Sequence, residues 1–89
     1  MKNPHSKKLL ANVIKRLQAS RNRETGEVGY SFGYGYAVLT KAGRVKGVWN
    51  EADDALLAAC DNDDNAVYRL AGSDRKPRLT LVPPRPVTA

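Results

Sequence analysis

Apolar residues recur as Leu9, Leu10, Val13, Ile14 and Leu17, the spacing of one face of an α-helix. Lys8, Asn12, Lys15 and Arg16 fall on the opposite arc. The pattern predicts a helix over about residues 4–20 with an apolar stripe and a basic ridge. Asn3 offers a cap and Pro4 suits the first helical position. A polar connection, 21–27, follows with Gly26 as its turn residue. The period then changes to two. Val28, Tyr30, Phe32, Tyr34, Tyr36 and Val38 alternate with Gly29, Ser31, Gly33, Gly35 and Ala37. Side chains alternate faces along a strand. A strand from Val28 to about Thr40 would therefore carry four successive aromatics on one side and almost nothing on the other.

Lys41-Ala42-Gly43-Arg44 reads as a tight hairpin and Val45–Trp49 as the return strand. Asn50 is the expected cap of a second helix, with Glu51, Asp53 and Asp54 in its first turn, where acids favour the dipole. Ala52, Ala55, Leu56, Ala59 and Cys60 give that helix a thin stripe, and residues 61–65 end it. Ala66–Leu70 reads as a third strand with Tyr68 and Leu70 on one face. Asp74-Arg75-Lys76-Pro77 breaks the pattern, 78–82 could add a short edge strand, and Pro83-Pro84-Arg85-Pro86 reads as extended tail. The expected fold is a small α+β domain over 1–72, order α-β-β-α-β. Its antiparallel sheet is packed by the first helix, and a basic, Pro-rich segment follows over 73–89.

Eighty-nine residues make one domain with a modest core. No apolar run reaches a membrane span or a signal-peptide core, so a soluble, cytoplasmic chain with no membrane partner is expected. Cys60 is the single cysteine, in keeping with a reducing compartment. The net charge of +6 is sorted along the chain. Residues 1–49 carry +8, residues 50–74 carry −6 and residues 75–89 carry +4. A basic front half attracts phosphate or an acidic protein surface.

The aromatic strand admits two readings. It can roof a core under the first helix. It can also form a platform, because three of its four rings are Tyr, whose hydroxyls need partners when buried. Alternate strand residues lie roughly 6.8 Å apart, about twice the base-to-base rise of a nucleic-acid strand, so an exposed ladder suits unstacked bases. Gly33-Tyr34-Gly35-Tyr36 locally resembles the longer ribonucleoprotein motif of RNA-recognition-motif domains. Phe32 stands where that motif has a basic residue, Ala37 where it has a larger aliphatic and Leu39 where it has an aromatic. The resemblance implies base stacking on these rings as a chemical analogy, not membership of the family.

Other motifs stop short. Asp61-x-Asp63-x-Asn65 begins like a calcium loop, but Ala66 occupies its Gly position and Gly72 its Glu position. His5 is the single histidine and sits near a terminus expected to fray. No Cys or His cluster has zinc spacing. The expectation is a non-enzymatic protein without cofactor or metal. The favoured function is nucleic-acid binding, single strands preferred. Tyr30, Phe32, Tyr34, Tyr36 and Trp49 would stack, and Lys8, Lys15, Arg16, Arg21, Arg23, Lys41, Arg44 and Lys46 would hold phosphates. The alternative is a protein-interaction module, such as a small mobile-element (phage-type) inhibitor of a host protein complex. Self-association through the Gly face is a further alternative.

Overall fold

The computed structural model describes residues 5–19, 32–73 and 75–83. Helix α1 (Lys7–Ala19), strands β1 (Tyr36–Leu39) and β2 (Val45–Trp49), helix α2 (Ala52–Ala59), and strands β3 (Ala66–Gly72) and β4 (Pro77–Val82) follow in that order. The strands form one antiparallel sheet, β2-β1-β3-β4. The chain is thus an α+β fold, as its periodicity predicts, with β4 as a full member of the sheet.

The two helices lie on opposite faces. Leu10, Val13 and Leu17 of α1 pack with Phe32, Ala37, Leu39, Ala66, Tyr68 and Leu70. Ala55 of α2 packs with Val38 and Val67, flanked by the half-buried Tyr36, Trp49, Leu56 and Val82. Strand alternation explains the split: Ala37 and Leu39 face α1, while Tyr36 and Val38 face α2. Each fully buried Leu or Val among them is worth about 1.5–3 kcal/mol.

Helix α1 starts at a Ser cap. The Ser6 Oγ accepts the backbone N–H of Leu9 at 3.1 Å, satisfying one of the donors a helix start leaves over. Asn3 and Pro4, the expected start, lie outside the described residues. His5 departs from its expected frayed position. It is 5% exposed. Its Nε2–H donates to the Thr40 carbonyl at 2.8 Å, and a carbonyl can only accept. In the neutral ring Nδ1 is then the acceptor of the Tyr68 hydroxyl, 2.7 Å away. One imidazole so joins the start of α1 to the β1–β2 turn and the middle of β3.

The hairpin turn is where the sequence placed it. The Gly43 N–H donates to the Thr40 carbonyl, and the Thr40 N–H to the Arg44 carbonyl, both at 2.9 Å. Gly43 has φ +85°, and a Cβ there would meet the Leu9 side chain at 2.9 Å. Asn50 is not the cap of α2: Glu51 holds that position and makes no side-chain cap bond. Asp53 and Asp54 still stand in the first turn, favourable to the dipole. At the other end Lys46 Nζ donates to the Ala58 carbonyl at 3.1 Å and pairs with Asp61.

Both margins of the sheet are blunted. The β1–β2 register shifts between Val38 and Leu39, a bulge in edge strand β2. On β4, the Ser73 N–H to Lys76 carbonyl bond and the β3–β4 register turn the N–H groups of 78, 80 and 82 inward. The outward positions include Pro77 and Pro83, which have no N–H to offer.

Candidate functional site

The predicted ladder of four aromatics does not form. Strand β1 begins only at Tyr36. Gly33 and Gly35 adopt φ +102° and +98°, a region side chains other than Gly rarely enter, and the alternation fails between them. Both polar backbone groups of Leu70 point at this segment, the N–H to the Gly35 carbonyl and the carbonyl to the Gly33 N–H. A regular ladder would have exchanged both bonds with Gly35. Tyr34 is the inserted residue, and it stands 65% exposed. Its neighbours part company: Phe32 is buried on the α1 side, and Tyr36 is half-buried on the α2 side. Tyr30 lies outside the described residues.

The structure instead assembles a row across the face that α2 only partly covers. Trp49 pairs with Tyr36, Tyr36 with Arg69, and Arg69 with Thr80. The next row toward the β3–β4 turn holds Ala71 and Arg78, beside the Tyr34 insertion. Helix α2 packs over the row on the other side, Val38, Val67 and Val82. Trp49 folds toward that helix: a Cβ on Gly47 would stand 2.7 Å from the indole, so the ring lies across the bare backbone of Gly47. Arg69, Arg78, Thr80 and Lys76 are exposed. Arg69 and Arg78 make no ion pair among the described residues.

The expected cations are dispersed. Lys8, Lys15 and Arg16 are exposed on α1, across the sheet from Tyr36. Lys41 and Arg44 flank the hairpin turn, at the opposite end of β1 from Tyr36. Lys46 is held by Asp61 and the end of α2, and its hydrogen bond is the main cause that holds the Asp61 carboxyl below its ordinary range. Arg21 and Arg23 lie outside the described residues. The start of the calcium-like segment is likewise engaged internally, since Asp61 Oδ1 accepts from Asn65 Nδ2 at 3.1 Å. Cys60 is exposed, its thiol 3.1 Å from the Leu56 carbonyl.

Sequence reasoning missed Arg69, Lys76, Arg78 and Thr80. A signal was there: Arg69 is the one charge within an apolar strand, and Arg78 and Thr80 alternate with Leu79 and Leu81. Placing them beside Tyr36 needed the strand order. No helix among the described residues is long and apolar enough to cross a membrane. No protein-family model, curated protein or solved structure matches this chain.

Proposed function

We propose that this protein binds single-stranded nucleic acid, without catalysis, through the open part of the α2-side sheet face. The observation that carries the reading is the juxtaposition of Tyr36 with Arg69, and of the protruding Tyr34 with the end of β3. The exposed Tyr34 ring and the half-buried Tyr36 ring beside it offer sequence-tolerant stacking, and neighbouring guanidinium groups hold phosphate. Gly33 and Gly35 take positive φ, which glycine adopts without steric penalty, and the backbone between them re-aims the Tyr34 ring into water, as insertions beside binding sites do. The net charge of +6 favours a polyanion at long range.

Fluorescence anisotropy with labelled single-stranded and duplex oligonucleotides at low salt tests it. Single strands are expected to bind more tightly. Tyr34→Ala should weaken binding by about 1–3 kcal/mol, the worth of one stacked base, with an unchanged melting temperature. If no probe is retained, or if the chain captures only a protein that survives nuclease treatment, the reading is wrong.

A further inference from the structure

We infer that a bound single strand runs along the β3–β4 hairpin, with successive phosphates on Arg69, Arg78 and Lys76 and its bases turned toward Tyr36 and Tyr34. This rests on the nucleic-acid reading above and adds the orientation of the strand and the side chains that grip its backbone.

The argument is one of register. Arg69 stands opposite Thr80 and Arg78 opposite Ala71. Arg69 and Arg78 are therefore diagonal neighbours, about 7–8 Å apart at their backbones. Lys76 continues the series one step further, its carbonyl bonded to the Ser73 N–H. Each step along the strands is roughly 6.8 Å, the scale of an unstacked nucleotide repeat at about twice the 3.4 Å stacked rise. Arg69 and Arg78 thus occupy consecutive rows on β3 and β4, and Lys76 follows in the turn just before β4. The rings occupy β1, the neighbouring strand, in the first of those rows and in the insertion just beyond it.

The sites between them support the same path. Ala71, half-buried, leaves low ground beside Arg78, and Thr80 adds an exposed hydroxyl. No acid lies on β1, β3 or β4 among the described residues. The acids around α2 are Glu51, Asp53 and Asp54 at its start, just after Trp49, and Asp61, Asp63 and Asp64 beyond its end, with Asp61 against Lys46. Like charges on diagonal neighbours repel, and a bridging anion removes that repulsion. The basic residues of α1 cannot share this path, because the sheet separates them from it.

The experiment is the salt dependence of binding to a labelled oligothymidylate, read by anisotropy on the full chain. For single strands the slope of log K against log salt is about −0.7 per phosphate neutralised. Arg69→Gln, Arg78→Gln and Lys76→Gln should each shrink its magnitude by about 0.7. The double variant Lys8→Gln/Lys15→Gln should leave it unchanged. Tyr34→Ala and Tyr36→Ala should lower affinity at constant slope. The path is overturned if the three hairpin variants keep the wild-type slope while the α1 variant lowers it; nucleic-acid binding itself would then stand. Absence of binding by the wild-type chain overturns both.

Discussion

The Tyr68 hydroxyl and the His5 imidazole meet at 2.7 Å although 63 residues separate them in the chain. Their rings also make an edge contact, with centroids 5.5 Å apart. This bond ties the segment just ahead of α1 to the central part of the sheet. Tyr68→Phe removes this donor from the buried His5 ring, at a cost of about 1–3 kcal/mol. His5→Phe removes the ring nitrogen that accepts the Tyr68 hydroxyl and one of the two donors to the Thr40 carbonyl, which keeps the Gly43 N–H. Urea unfolding should show both losses, and the double variant should lose less than their sum. Wild-type stability in Tyr68→Phe would show that the bond does not stabilise the domain.

Burial pushes the Tyr68 phenol up to about 12 from its ordinary 10.0. The folded state therefore holds this proton more tightly than the unfolded chain does. The resulting stability is fully present below pH 10 and drains away as pH rises toward 12. Unfolding curves of the wild-type chain should converge on those of Tyr68→Phe across that interval. A constant gap between them would contradict the assignment.

Gly43 and Gly47 are both required, for different reasons. Gly43→Ala must hold φ +85° and displace Leu9, costing about 1–2 kcal/mol for the backbone alone. It should lower the urea midpoint.

Gly47→Ala leaves the backbone unstrained but evicts the Trp49 indole. Trp49 is the single tryptophan, so its emission should shift to the red in the folded state. An unshifted spectrum would mean the ring does not rest on Gly47.

Lys46→Gln breaks the pair that holds Asp61 below its ordinary value of 3.8. Carboxylate titration by NMR should find Asp61 returned upward in the variant. In the wild-type chain this pairing favours folding above the ordinary carboxylate range and is lost as pH falls through the lowered value. Equal Asp61 titrations in both chains would sever the connection.

The legible parts of this fold were those written in local periodicity. The stripe of α1, the Gly43 hairpin, the acidic start of α2 and the inward pair Tyr68 and Leu70 are each visible over a few neighbouring residues. The aromatic ladder misled because perfect alternation from Val28 to Val38 describes side chains, not backbone. Gly33 and Gly35 can follow the alternation in sequence and abandon it in φ. His5 was undervalued for a different reason: its partners, Thr40 and Tyr68, are supplied by tertiary structure alone. Arg69 and Arg78 became neighbours of Tyr36 only through the strand order β2-β1-β3-β4, which short-range pattern does not encode.

The missing amide hydrogens of Pro77 and Pro83 have a bearing on how such a protein chooses what it holds. With few main-chain donors left along that rim, recruitment by adding a strand is disfavoured, and discrimination falls to individual side chains on the broad surfaces. Specificity built that way is retunable one codon at a time, while the scaffold beneath stays as it is.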